Sequence, residues 1–226
     1  MSIRVEVVPF VVAAVVVGIV VALACRLAAV GWAGATVLGA GLAMVFTGYM
    51  LFFFRDPHRK PPGDDSLVLA GADGIVARVT EVREDRFLNA EAVRISIFLT
   101  LFDVHVNRAP LSGRARFLGY YPGKRFFTFQ EKSSEFNQHN AILIEGSHTR
   151  CLVKQIVGPV CRRVVYWLDH AKEAEVRAGD RIGMMKFGSR LDMIFPRGDV
   201  TVLVKEGDRV RAGETVVGRV GEGERR

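Results

Sequence analysis

The chain has 226 residues, half of them hydrophobic, and carries 31 Lys and Arg against 24 Asp and Glu for a formal net charge of +7. That length accommodates one globular domain with a sizeable core plus an appendage, and the basic balance suits an anionic partner such as nucleic acid or acidic lipid. The three cysteines, Cys25, Cys151 and Cys161, lack metal-ligand spacing and their odd number argues against a disulfide framework; all three read as reduced, packed thiols of a cytoplasm-facing protein.

The first 56 residues read as a membrane-anchoring helical hairpin. An apolar run at 5–24, bracketed by Arg4 and Arg26, approaches the ~20 residues that cross a bilayer core. A second run, 30–54, is uncharged and rich in Gly and Ala, small residues that let helices approach closely in lipid. A cleaved signal peptide would explain the first run but not the second. Arg55, Arg59 and Lys60 follow the second run, so both ends of the hairpin are expected on the cytoplasmic side of the cell membrane. Trp32, Tyr49 and the cluster Phe52-Phe53-Phe54 suit the lipid–water interfaces; a re-entrant hairpin stays an alternative because the gap between the runs is short.

Residues 57–65 form a polar, Pro-rich linker that cannot continue a helix, and a folded domain is expected over 66–226. Short β-like runs follow at 67–70, 74–82, 93–99, 114–120, 141–145, 151–157 and 163–167, and no long amphipathic helical pattern competes with them. The fold class is therefore mainly β, a sandwich or barrel, behind an N-terminal helical hairpin. Two segments echo each other, Glu175-Val-Arg-Ala-Gly-Asp-Arg-Ile-Gly183 and Leu203-Val-Lys-Glu-Gly-Asp-Arg-Val-Arg-Ala-Gly213. They are similar to the hairpins of biotinyl and lipoyl carrier domains. Met185-Lys186 would be the acceptor site of such a carrier, but the residues before the pair lack the usual Glu-Ala.

Tyr120-Tyr-Pro-Gly-Lys-Arg-Phe-Phe127 mixes cations with aromatics. It reads either as an ordinary surface hairpin or as a membrane-facing loop, with Phe126 and Phe127 in the interface and Lys124 and Arg125 on lipid phosphate. Stacking plus charge would also suit single-stranded nucleic acid, but two apolar N-terminal segments favour lipid, and no nucleic-acid partner is expected. Further on, Leu191, Met193 and Phe195 alternate with Asp192 and Ile194, a period-2 pattern that suits a half-buried strand. Gly188-Ser189 just before it marks a bulge or a close backbone approach.

Four segments together resemble the short prokaryotic phosphatidylserine decarboxylases, in that family's order. They are Phe53-Phe54-Arg55-Asp56-Pro57, Ala72-Asp73-Gly74, Phe102-Asp103-Val104-His105-Val106-Asn107-Arg108-Ala109-Pro110, and Phe187-Gly188-Ser189-Arg190 before Leu-Asp-Met-Ile-Phe-Pro196. The resemblance implies a self-processed carboxy-lyase that converts phosphatidylserine, or a close serine phospholipid, to phosphatidylethanolamine in phospholipid biosynthesis. It implies that the chain splits between Gly188 and Ser189, that Ser189 becomes a covalent pyruvoyl group forming a Schiff base with the substrate amine, and that neither a metal nor pyridoxal phosphate is used. It also implies a homodimer, each protomer a heteromer of its own two cleaved chains. Serine needs a base to act as a nucleophile, and the candidates are His105 and Asp73, the latter as a charge partner in maturation, with Asp103 as an outside choice. One departure stands out. Longer family members read Asp-Tyr-His-Arg-Val-His-x-Pro here; aligned on the proline, His105 matches the first histidine and Arg108 takes the place of the second, which is usually assigned to self-cleavage.

Two other readings stay open at this stage. One is a membrane-tethered biotinyl/lipoyl-like adaptor without catalysis. The other is a serine hydrolase using Ser189 with His105, disfavoured because no Gly-x-Ser-x-Gly elbow is present.

Overall fold

The structure is a computed structural model that describes residues 1–28, 30–128, 130, 132–159 and 164–221. It divides into two compact units, residues 1–58 and 59–226. Cys25 and Cys151 are free thiols; the expectation for Cys161, like the start of the predicted strand at Arg163, lies outside the described residues.

The first unit contains strand β1 (Ser2–Ile3), helices α1 (Val8–Leu27) and α2 (Trp32–Phe53), and strand β2 (Arg55–Asp56). Pro9 sits in the first turn of α1, where its missing N–H costs nothing. Both helices are long and apolar enough to cross a membrane. Small residues line much of their packing: Ala14 and Gly18 of α1 and Ala35 and Gly39 of α2 are buried, along with the larger Met50 and Phe53 near the end of α2. A Cβ at Gly18 would stand 2.6 Å from the Gly39 carbonyl oxygen, so the two backbones touch as close helix packing in lipid requires. Antiparallel β1–β2 pairing brings the unit's two ends together, and Arg4 reaches both Glu6 at 3.5 Å and the buried Asp56 at 3.8 Å.

The second unit is built from β3 (Leu67–Leu69), β4 (Gly74–Glu84), β5 (Ala90–Leu99), β6 (Val106–Arg108), β7 (Gly113–Tyr121), a single helical turn α3 (Ser133–Phe136), β8 (His139–Glu145), β9 (Arg150–Val157), β10 (Val165–Tyr166), β11 (Ala174–Val176), β12 (Arg181–Met184), β13 (Ser189–Pro196), β14 (Val200–Val202), β15 (Arg209–Val210) and β16 (Val216–Val220). An eight-stranded antiparallel sheet has the order β11-β7-β8-β9-β13-β5-β4-β15, and two three-stranded sheets have the orders β10-β12-β6 and β14-β16-β3. One face of β13 sends Leu191, Met193 and Phe195 into the main core with Ile95, Ile97 and Val153, where Val68, Ile182 and Val217 of the smaller sheets meet them. Mainly-β architecture behind a helical pair is thus what the chain adopts.

Two expectations need refinement. Strand β13 is buried on both faces rather than half-buried, because it is central in the large sheet and its second face carries Ile194 in a separate apolar cluster and Arg190 and Asp192 in a buried ion pair. The two echoing segments make the same turn. Gly179 and Gly207 lie at φ +89° and +92°, Asp180 accepts from the Arg177 N–H at 2.7 Å, and Asp208 accepts from the Lys205 N–H at 2.9 Å. The strands leaving each turn pair with different neighbours, β11 with β7 and β12 with β6, β14 with β16 and β15 with β4. Each turn therefore hands the chain from one sheet to another.

Because neighbours in the large sheet run antiparallel, strand starts and ends alternate along one edge of it. Tyr121 faces His139, His139 faces Ile156, Val157 faces Ser189, Ser189 faces Leu99 and Gly74 faces Val210. The segments 70–73, 100–105 and 185–188, and the described residues of 122–138, thereby gather at a single end of the sheet.

Candidate active site

Ser189 opens β13 at that end and is fully buried, held between Leu99 of β5 and Val157 of β9. The two residues before it adopt left-handed backbone, Phe187 at φ +53° and Gly188 at φ +69°. Glycine takes that conformation freely, whereas Phe187 does so only under constraint from its surroundings. Ser189 Oγ lies 3.4 Å from the Lys186 carbonyl oxygen, and the carbonyl oxygen of Gly188 accepts a hydrogen bond from Thr128 Oγ1 at 3.1 Å.

His105 precedes β6, and its carbonyl accepts from the Met185 N–H at 3.2 Å, so it borders the turn that ends in Gly188-Ser189. Its ring is fully buried. Nδ1 lies 3.0 Å from the Asp103 carbonyl oxygen; a carbonyl only accepts, so Nδ1 carries the proton and Nε2 the lone pair when the ring is neutral. Asp103 itself is turned elsewhere: Oδ2 accepts from the Thr100 N–H and hydroxyl at 2.8 and 2.7 Å, and Oδ1 meets Arg209 at 3.3 Å.

Asp73 stands at the start of β4, on the far side of β5 from Ser189: Ser189 faces Leu99 and Ile75 faces Phe98. Two strand spacings put the backbones of Gly74 and Ser189 roughly 10 Å apart. One Asp73 oxygen accepts from the Ala212 N–H at 2.8 Å and the other from Arg59 at 2.7 Å. Burial raises its pKa above the usual carboxylate value, more than the Arg59 guanidinium and the Ala212 hydrogen bond lower it; Asp103 adds to the rise. Arg108, in the place of the second family histidine, is buried and donates to the Gly179 carbonyl at 2.8 Å. It braces the first Gly-Asp turn, and a guanidinium cannot serve as a base.

The described residues of 122–138 lie at the same end. Asn137 anchors them, accepting from the Phe126 N–H at 2.9 Å and donating to the Phe126 and Val157 carbonyls at 2.7 and 2.9 Å. Arg190, beside Ser189, donates from Nε to Asp192 at 2.9 Å and from Nη1 to the Thr128 and Gln130 carbonyls, both at 3.3 Å; Ser134 donates to the other Asp192 oxygen. This leaves Phe127 and Phe136 more than half exposed, with Lys124 and Arg125 exposed beside them. Leu101 and Phe102, exposed by 46% and 69%, project from the neighbouring loop after β5. The sequence reading missed Thr128, Asn137 and the Arg190–Asp192 pair. The only signal for the pair was two opposite charges at i and i+2 within an apolar strand, a spacing that puts both on one face.

Fold and site together define a class: mainly-β chains with a helical pair in front, in which a Gly-Ser bond is held in left-handed backbone at a buried sheet end. Comparison with known proteins narrows this. The phosphatidylserine decarboxylase family profile matches residues 46–218. The phosphatidylserine decarboxylase proenzyme of Symbiobacterium thermophilum is 42% identical over 206 residues, 90% of this chain and 92% of the relative. That of Carboxydothermus hydrogenoformans is 42% identical over 173 residues, 76% of this chain and 80% of the relative, and that of Pelobacter propionicus is 43% identical over 183 residues. The chain belongs to the phosphatidylserine decarboxylase family.

Proposed function

We propose that the chain is a membrane-anchored proenzyme that cuts its own backbone between Gly188 and Ser189 and then decarboxylates phosphatidylserine, or a close serine phospholipid, to the ethanolamine lipid. The observation that carries this reading is the Gly188-Ser189 bond itself, preceded by a constrained left-handed Phe187, leading into a fully buried Ser189 and hydrogen-bonded at its carbonyl, within a chain of this family.

The chemistry follows from the residues. Ser189 Oγ adds to the Gly188 carbonyl carbon and gives its proton to a base; the C–N bond breaks, the nitrogen takes a proton, and an ester results. Removal of the Ser189 α-proton then breaks the Cβ–Oγ bond and frees Gly188 as a carboxylate. Water replaces the nitrogen, which leaves as ammonia. The pyruvoyl group so formed at position 189 supplies the electron sink for loss of carbon dioxide from a serine amine. Serine at this place fits that origin, since Ser189 heads a strand whose pairing to β5 and β9 does not depend on the bond before it. His105, with its Nε2 lone pair set by the Asp103 carbonyl, is the proposed proton carrier. Asp73, its pKa raised by burial, is the proposed charge partner in maturation, and Asp103 positions His105 through its backbone.

Helices α1 and α2 are the proposed anchor, with the second unit on the cytoplasmic face because Arg55, Arg59 and Lys60 follow α2. The loop with Lys124, Arg125, Phe126 and Phe127 is proposed to meet the bilayer, cations on lipid phosphate and rings in the interface. Leu101 and Phe102 form a second lip at the same sheet end. Between them a headgroup reaches Ser189 while its acyl tails stay in lipid.

Intact-mass spectrometry of the purified protein beside a Ser189→Ala variant tests the reading. The wild type should yield residues 1–188 and 189–226, the smaller piece lighter by one ammonia than a serine-started fragment, and the variant should stay whole. A folded wild-type protein that remains a single chain sinks the proposal in favour of the adaptor.

A further inference from the structure

Self-cleavage at Gly188 creates a problem that the serine and its base do not solve. When Oγ adds to the carbonyl carbon, the Gly188 oxygen takes on a full negative charge. A buried site stabilises that charge only with a donor already in place. We infer that Thr128 is that donor, and that Gly158 keeps the space in which the oxygen sits; the inference rests on the self-cleavage reading.

Two independent features of the structure lead there. The first is the Thr128 hydroxyl, which donates to the Gly188 carbonyl oxygen at 3.1 Å. Thr128 is 3% exposed, so its side chain is held largely out of water. Its own carbonyl is gripped by Arg190 Nη1 at 3.3 Å and Ser133 Oγ at 3.3 Å. The donor is thus pre-set before reaction, the arrangement in which a hydrogen bond strengthens as charge grows on its acceptor.

The second feature is Gly158, immediately after β9. Its backbone does not lie in the left-handed region, so conformation does not demand glycine. Space does. A Cβ there would stand 2.9 Å from the Gly188 oxygen and 3.3 Å from Thr128 Cγ2, closer to that oxygen than real Cβ atoms come. The bare Cα of Gly158 and the hydroxyl of Thr128 line a recess for this one oxygen.

In the step itself, the Oγ–C bond forms and the carbonyl π pair moves onto the Gly188 oxygen, held by the Thr128 O–H. That pair then returns as the C–N bond breaks, and the amine leaves with a proton. Thr128 donates throughout and keeps its proton, so the rate should depend on the hydroxyl and not on the methyl.

The experiment follows chain splitting in time after cell-free synthesis of the full-length precursor into detergent micelles. Thr128→Val keeps the shape and loses the hydroxyl; it should split about 100-fold more slowly, the typical loss of one oxyanion donor. Thr128→Ser should rescue splitting, and Gly158→Ala, which crowds the oxygen, should slow it. Splitting of Thr128→Val at the wild-type rate overturns the inference, and so does a Thr128→Ser as slow as Thr128→Val, which would assign the effect to the methyl group. Should Thr128→Val fail to fold, as read by its melting curve, Thr128→Cys against Thr128→Ser makes the same comparison. A wild type that never splits refutes the self-cleavage reading instead, so the two failures are distinguishable.

Discussion

Asp192 is where the sheet and the loop over Ser189 are locked together, and replacing it with asparagine should be costly. Its carboxylate and the Arg190 guanidinium are 0% and 1% exposed, 2.9 Å apart. Ser134 Oγ donates to the same carboxylate, and Arg94 approaches it at 4.0 Å. Asp192→Asn preserves the shape but removes the negative charge, leaving the buried Arg190 guanidinium against neutral acceptors alone, the amide oxygen and the Thr128 and Gln130 carbonyls. Breaking a buried ion pair from one side costs about 3–5 kcal/mol. At ~2–4 °C per kcal/mol for a unit of this size, the melting temperature should fall by roughly 6–20 °C. The assay is calorimetry in detergent on the Ser189→Ala chain, so that splitting does not enter. In the cleavable chain, the same substitution should also slow splitting, because Arg190 holds the Thr128 carbonyl. The double substitution Arg190→Met with Asp192→Leu should recover much of the stability and little of the splitting rate. A fall under ~2 °C for Asp192→Asn would show that the pair is not the lock described here.

Two further outcomes are expected. Phe127→Ser removes an exposed ring from the proposed lipid-facing loop. Half the ~3 kcal/mol gained by burying a phenylalanine corresponds to about tenfold, so the apparent KM for phosphatidylserine in vesicles should rise by that factor with chain splitting unchanged; an unaltered KM refutes the membrane role of the loop. Asp73 has a folded pKa above its unfolded value, so its contribution to stability is full below about pH 4 and is lost as pH rises through the folded value. Asp73→Asn mimics the protonated form. In the Ser189→Ala background, its melting temperature relative to the parent should therefore climb from pH 4 to pH 7, and a decline would contradict the assigned shift.

Much of this protein could be read from its sequence, for local reasons. The two apolar runs became α1 and α2 because uniform apolarity over some 20 residues has few other outcomes, and the glycines and alanines of the second run announced close packing by being small. Six of the seven predicted β runs lie within observed strands or overlap them closely, since period-2 patterning between Gly, Pro and Asn breaks is a local property. Gly188-Ser189 stood out because a glycine there permits a backbone that few other residues adopt.

Tertiary structure decided the rest. Whether β13 is half-buried or enclosed depends on β5, β9 and α3, which lie 32 or more residues away in the chain, so alternation alone could not report that Asp192 is buried. The two Gly-Asp turns look like hairpins to a local reading, yet their arms pair across different sheets. Arg108, which sequence alignment could only mark as a missing histidine, proves to brace one of those turns. Thr128 and Gly158 carry no motif at all; they matter only because the fold returns them, from 60 and 30 positions away in the chain, to one carbonyl oxygen. Periodicity and backbone preference act between neighbours and can be read along the chain, whereas the partners of a buried charge or a reacting carbonyl are set by which strands pair.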